Sequence, residues 1–262
     1  MENIKIIKVG GNIIDNDAAL EKFLSQFSTV KGPKILVHGG GKLATKLAND
    51  MRVPVYMIDG RRITDAETLN VITMVYAGKI NKNIVAKLQA NQCNAIGFTG
   101  ADGNTIVSVK RPVKKIDYGF VGDVKKVNTN AITALLDNNI TPVFCAISHD
   151  GNGQLLNTNA DTIASELAIG LSRHYKTELI YCFEKNGVLL SIEDDNSVID
   201  FMDTGTYQTL KIKNTFADGM LPKLENCYHA LHEGVSKVII GNPTVISNRD
   251  QKFTTLFLWF NN

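Results

Sequence analysis

The chain has 262 residues, 44% hydrophobic and 21% charged, enough apolar material for a sizeable core and far from the composition of a disordered chain. Its 28 Lys and Arg nearly balance 26 Asp and Glu, for a net charge of +2. That excludes a broadly basic nucleic-acid binder, so any positive charge used for function must be local. No apolar run approaches the roughly 20 residues of a membrane span. The start, MENIKIIKVGG, has neither a basic leader nor a small-residue cleavage site, so a cytoplasmic protein is expected.

In chain order, residues 4–9 (IKIIKV) predict a strand that ends in Gly10-Gly11, followed by an amphipathic helix over roughly 17–30. KILVH (34–38) predicts a second strand, running into Gly39-Gly40-Gly41 and a helix from Lys42. VPVYMI (53–58) predicts a third strand, closed by Asp59-Gly60. A long helical stretch covers about 65–92, with Gly78 marking a break or a close helix contact, and NAIGF (94–98) is again a strand. ADGN (101–104) and DYGFVGD (117–123) are turn-rich and flank short alternating segments, the pattern of a β-hairpin insertion. The rhythm resumes with a helix at 129–138, a strand at 141–147 and a helix at 160–171. After it come a strand at 178–183, a turn at Asn186-Gly187, helices near 203–212 and 219–234, a strand at 237–241 and a weak last strand, TTLFLWF. Alternation of this kind predicts an α/β fold: an open, mainly parallel sheet with helices on both faces. The seam between two lobes falls near Arg173.

Cys93, Cys145, Cys182 and Cys227 form no CxxC and read as buried small hydrophobes. His229 and His232 beside Glu233 spell HALHE, which is no metal motif and reads as helix surface, so no protein-bound metal is expected.

Two strand ends carry glycine clusters, at 10–11 and 39–41. Glycines at these points let the backbone approach a ligand closely, and the N–H groups of a following helix suit phosphate or carboxylate. The same residues are also ordinary turn formers. Neither cluster is a P-loop. Gly39-x-Gly41-x-x-Ala44 with Asp59 about twenty residues on does fit the loose dinucleotide fingerprint, which keeps a nicotinamide-dependent oxidoreductase in play. Lys8 interrupts an apolar strand, and Lys223 lies early in a helix, where the helix dipole disfavours it. A lysine accepting that penalty suggests an anion nearby. Asp161 follows Asn157-Thr158-Asn159-Ala160 at the start of a helix, where Asp and Asn also serve as caps.

KVGGN, HGGGK, DGRRIT, GFTGADGN, YGFVGDV, NTNADTIA and ADGMLPKLENC occur in that order. Each is weak alone; as an ordered set over about residues 4–245 they resemble the acetylglutamate kinase branch of the amino acid kinase family. The resemblance implies a three-layer αβα sandwich, two lobes sharing one sheet. Residues 1–173 would bind the acylglutamate and form the dimer, and 174–262 would bind ATP. It implies ATP-dependent phosphorylation of the γ-carboxylate of N-acetyl-L-glutamate, or of a related N-acylglutamate such as the N-succinyl compound, as the second step of arginine synthesis. Lys8 and Lys223 match the lysines that touch the transferring phosphoryl group, and Asp161 the aspartate that holds both. Gly11, Gly40 and Gly41 match backbone donors to the phosphates and the reacting carboxylate, and Arg62 and Asn157 match residues gripping the substrate's α-carboxylate and neighbouring groups. Gly10, Glu184, Gly187 and Met220 fall on the nucleotide side with Gly11. Mg²⁺ would be held mainly by the ATP phosphates.

These roles make chemical sense. A carboxylate nucleophile is already ionised at neutral pH and needs no general base. What must be overcome is repulsion between two anions, a task for lysines and backbone N–H groups. Asp161 is then an organiser, and Arg62 a planar bidentate partner for a carboxylate. Two departures stand out. Phe183-Glu184-Lys185-Asn186-Gly187 replaces the family's hydroxyl-Asp-x-x-Gly, and the C-terminal tail lacks its usual Gly-Thr. The chain also begins at its first strand, without the extra helix of arginine-inhibited hexamers, which leads to the expectation of a homodimer without arginine feedback. Another carboxylate, carbamate or uridylate kinase of the fold, or a non-catalytic sensor on the same scaffold, are the competing readings.

Overall fold

The computed structural model describes residues 1–58, 60–191, 193–213, 216, 220–247 and 252–258. Asp59, Ala217-Asp218-Gly219 and parts of the C-terminal tail, all singled out in the sequence, lie outside the described residues. In chain order the elements are β1 (Asn3–Val9), α1 (Gly11–Ile14), α2 (Asp17–Thr29), β2 (Lys34–His38), α3 (Gly41–Asp50), β3 (Met57–Ile58), β4 (Arg61–Arg62) and α4 (Ala66–Thr73). A π-helical segment (Met74–Ile80) leads into α5 (Asn81–Ala90), then β5 (Ala95–Phe98), β6 (Ile106–Lys110), β7 (Gly122–Val127), α6 (Thr129–Asp137), β8 (Thr141–Cys145), β9 (Ile147–His149), β10 (Leu155–Asn157) and α7 (Ala160–Leu171). The remainder comprises β11 (Lys176–Cys182), β12 (Phe201–Met202), α8 (Thr204–Ile212), α9 (Met220–His232), β13 (Lys237–Gly241) and β14 (Thr254–Leu256).

The main sheet has eight strands in the order β12-β14-β13-β11-β1-β2-β8-β5. It is parallel except where β14 runs against β13. Strands from the first part of the chain fill one half and strands from the last part the other, and β1 pairs with β11 at the junction. β1 shows why the sheet is covered on both sides: its inward positions alternate between two cores. Ile7 and Val9 pack with Phe23, Phe27, Ile72 and Ile84 from α2, α4 and α5. Ile4 and Ile6 pack with Ile163, Leu167 and Leu171 of α7 and Leu224 of α9. The result is the expected three-layer sandwich. A second sheet, β10-β9-β6-β7, stands over the C-terminal ends of the main strands and contains the expected hairpin, β6 with β7.

Three expectations need correction. The segment 53–58 is not a strand of the main sheet: only Met57–Ile58 is extended, pairing with Arg61–Arg62 in a separate hairpin. Val53 spends its N–H on Ala48 O at the end of α3, and Pro54 has none to offer. Gly78 neither breaks the 66–90 helical stretch nor makes a close contact; the helix widens around it into the π segment. The predicted strand 141–147 divides at Ala146, with β8 in the main sheet and β9 in the second.

Candidate active site

Lys8 continues the face of Ile4 and Ile6 to the C-terminal end of β1, in register with Tyr181 on β11 and Val37 on β2. Beneath it α7 begins. The Asn159 side chain accepts from the N–H groups of Asp161 and Thr162, so the helix starts there and Asp161 sits in its first turn. A carboxylate is favoured at that end by the helix dipole. Lys8 Nζ pairs with Asp161 Oδ1 at 2.8 Å, and Lys223 Nζ, from the first turn of α9, stands 3.7 Å from Oδ2. The three side chains are 12%, 18% and 15% exposed, so their charges are poorly screened. Burial alone would raise the Asp161 carboxyl, but the Lys8 and Lys223 ammoniums together carry it below the ordinary carboxylate range. One carboxylate between two ammoniums leaves one positive charge uncompensated at the sheet's edge.

Lys223 is seated differently from Lys8. Its ammonium lies 5.3 Å from the centre of the Phe183 ring and 5.7 Å from that of Tyr181, within cation–π range of both. Tyr181 in turn donates its hydroxyl to Asp161 O at 3.0 Å. Phe183, the residue that departs from the family pattern, thus faces a cation.

The cleft beside Lys8 encloses about 280 Å³, and its lining includes Lys8, Gly11, Gly39, Gly40, Gly41, Arg62, Asn157 and Asp161. The two glycine clusters do meet in one crevice, each opening a helix, α1 and α3. Gly40 has φ +152, a conformation L side chains rarely adopt, and a Cβ there would collide with Ile80 and press on the Tyr76 ring at 3.3 Å. Only glycine fits. Arg62 is 8% exposed, and its Nη2 donates to Gly41 O at 3.0 Å and Thr45 Oγ1 at 2.8 Å. That hooks the β3–β4 hairpin to the start of α3 and holds the guanidinium at the cavity wall. Asn157 Nδ2 donates to Thr64 Oγ1 at 3.0 Å, tying β10 to the segment after β4.

Lys8, Gly11, Gly40, Gly41, Arg62, Asn157 and Asp161 therefore share one cleft, with Lys223 at its margin. The other four expected residues do not line that cavity. Gly10 is fixed to β11 through its N–H, which donates to Cys182 O at 2.8 Å. Gly187 is buried where a side chain would strike Thr254 and Val198, so its lack of a Cβ serves packing against β14. Glu184 is exposed, and Met220, half-buried, packs against the α7–α9 core. The sequence reading missed Tyr76 and Arg111, both at the cavity wall. Arg111 is held by Asp123 through three contacts of 2.6 to 3.3 Å. It lies in the run KRPVKK, where nothing in the local pattern sets one basic residue apart from the others. Tyr76 was hidden in a helical apolar stripe.

Among the described residues no group of three or more His, Cys, Asp or Glu is arranged for a metal, and Asp161, already shared by two lysines, is the only carboxylate in the cavity lining. No described helix is long and apolar enough to cross a membrane. All four cysteines are buried and free.

Residues 3–242 match the amino acid kinase family. A Cytophaga hutchinsonii protein named acetylglutamate kinase is 57% identical over 241 residues, 92% of this chain and 91% of that protein. One of the same name from Phocaeicola vulgatus is 53% identical, over 91% of this chain and 93% of its own. Among solved structures, smu.665 of Streptococcus mutans superposes with a TM-score of 0.77 at 25% identity, over 97% of this chain and 98% of that one.

Proposed function

The chain belongs to the amino acid kinase family and stands with its acetylglutamate kinases, and from that premise we propose that its cleft transfers the γ-phosphoryl group of ATP to the γ-carboxylate of N-acetyl-L-glutamate, the second step of arginine synthesis. The observation that carries this reading is the Lys8–Asp161–Lys223 arrangement at the mouth of a cavity walled by Arg62.

Arg62 presents the guanidinium edge not used by Gly41 and Thr45 to the substrate's α-carboxylate, and Asn157 orients the groups beside it. The substrate's γ-carboxylate, ionised at neutral pH, attacks the γ-phosphorus; an O–P bond forms, the bond to the β-phosphate bridge breaks, and ADP leaves with its electron pair. No proton moves, so no base is required. Lys8 and Lys223 offset the negative charge on the phosphoryl oxygens from two sides, and Asp161 fixes the ammoniums at their stations. The backbone N–H groups of Gly11, Gly40 and Gly41 add neutral donors that approach without a side chain in the way. Gly10, Glu184, Gly187 and Met220 belong to the nucleotide side of this reading, Gly10 and Gly187 by shaping backbone. Mg²⁺ would enter with the nucleotide, held by its phosphates, since the one lining carboxylate among the described residues is taken up by lysines.

In this reading residues 1–173 carry the acylglutamate and 174–262 the nucleotide. The first part also ends the sheet in an open edge, β5, whose Ile96 is 40% exposed, and that edge supports a homodimer. Molecular mass in solution tests it, and Ile96→Lys should give monomers. The catalytic reading is tested by one assay of ADP release with Mg-ATP and N-acetyl-, N-succinyl- or free glutamate. Turnover with N-acetylglutamate is expected, and turnover with none of the three would overturn the reading.

A further inference from the structure

His38 is the last residue of β2, directly before the Gly39-Gly40-Gly41 turn, and it is fully buried. Its Nδ1 lies 2.8 Å from Gly39 O and its Nε2 lies 3.0 Å from Asn81 Nδ2. A carbonyl can only accept, so Nδ1 carries the hydrogen. The Asn81 amide is oriented from both sides: its Nδ2 also donates to Val143 O at 2.9 Å, and its Oδ1 receives Lys82 Nζ at 3.3 Å. Nε2 of His38 must therefore accept. The ring is fixed as one neutral tautomer by the carbonyl that follows its own strand and by Asn81 of α5, which is itself braced on β8. Burial, with the Lys82 ammonium adding to it against the pull of the Gly39 carbonyl, pushes the His38 imidazole down to about 4.

The consequence lies one residue on. The Gly39–Gly40 peptide is planar and trans, so its C=O and N–H point in opposite directions. Holding Gly39 O toward the imidazole sends the Gly40 N–H the other way, away from the sheet interior where His38 is buried. Gly40 itself packs against Ile80 and Tyr76 of the π segment at a φ of +152, which leaves the turn little freedom once that peptide is set.

We propose that His38 is a positioning residue: through its Nδ1–H bond to Gly39 O, with Asn81 bracing the ring, it aims the Gly40 N–H into the cleft at the reacting oxygens. This rests on the kinase reading above. The ring itself touches neither substrate nor phosphate. It sets a donor that must be in place before the transition state, where fixed donors contribute most.

Amide isosteres separate the two ring nitrogens. In His38→Asn the side-chain amide nitrogen replaces Nδ1 and still reaches Gly39 O; in His38→Gln the amide falls at the Nε2 position, and the bond to Gly39 is lost. The expected result is kcat within about threefold of wild type for Asn and at least about tenfold lower for Gln, with KM for N-acetylglutamate changed far less than kcat. Equal kcat in the two variants, at comparable melting temperatures, would overturn the proposal, as would a fall confined to KM. NMR of the imidazole nitrogens in the unmodified enzyme gives a check independent of either variant's folding. His38 should show the Nδ1–H tautomer unchanged between about pH 5.5 and 8, and an Nε2–H tautomer or a titration in that range would overturn it. An inactive wild-type protein with the expected His38 tautomer would instead count against the kinase reading alone.

Discussion

The two lysines that meet at Asp161 are held by opposite means. Lys8 is fixed along a central strand, flanked by paired strands on both sides, and makes a 2.8 Å ion pair. Lys223 rides on the first turn of a helix, 3.7 Å from the same carboxylate, with aromatic faces in place of a second anion. The strand-borne ammonium is held by a short, direct ion pair; the helix-borne one stands farther from the carboxylate and against two ring faces. In the proposed kinase reading Lys8 would serve the acceptor side and Lys223 the nucleotide side, so the two kinds of seat divide between the two substrates.

The widest test of that contrast is replacement of each cation. Lys8→Ala and Lys223→Ala should each lower kcat by about 10²-fold or more, the scale for removing a preorganised charge stabiliser. Lys→Arg sharpens it: at position 8 the larger guanidinium would project into the cleft the acceptor must occupy and activity should stay at the Ala level, whereas Lys223→Arg, at the margin, should recover part of it. Steady-state kinetics decide, and equal tolerance at both positions would remove the distinction. Next in size, Arg62→Ala should raise KM for the acylglutamate by about 10²-fold, the scale of a lost charge-assisted contact, with a smaller effect on kcat. An unchanged KM would take Arg62 out of the substrate site.

Smaller still is the aromatic seat. Phe183→Leu keeps bulk and removes the π face, so kcat should fall about fivefold, equivalent to a cation–π contribution of ~1 kcal/mol, and Phe183→Tyr should restore it. If Leu and Tyr behave alike, Phe183 acts through packing only.

Much of this fold was legible because its signals are local. β1, β2, β13 and α7 were visible as apolar runs or stripes bounded by glycine and cap residues, and their alternation implied the parallel sheet. The misreadings were non-local. VPVYMI is apolar enough for a strand, yet Val53 is captured by the end of α3 and Pro54 cannot donate. The division of 141–147 at Ala146 depends on where a second sheet stands, which no window of sequence contains. At the cleft, Lys8 and Lys223 stood out because each strains a local preference, whereas Asp161 satisfies one, a carboxylate in the first turn of a helix, and stood out only within the ordered set of motifs. Tyr76 and Arg111 break none, and the packing constraint on Gly187 comes from Thr254, 67 positions away. His38 sat in plain view inside HGGGK, but its partner Asn81 lies on another layer, so only packing discloses the pair.

The last expected effect is on stability and not on turnover. An unfolded histidine titrates near 6.5, while buried His38 does so at about 4. Between those values the unfolded chain binds a proton that the folded chain refuses, so His38 contributes to the loss of stability as pH falls from about 6.5 to about 4. Asp161 acts lower and in a separate window: its carboxyl is depressed in the fold, so its contribution is present above about 3.9 and is lost as pH falls through the folded value. His38→Asn removes the first effect and leaves the second. Urea unfolding at about pH 7 and about pH 4.5 should therefore show a smaller drop for the variant than for wild type. Equal drops would mean that the fold does not hold His38 neutral, and the Lys8 side of the cleft would lose the buried brace that sets its glycine turn.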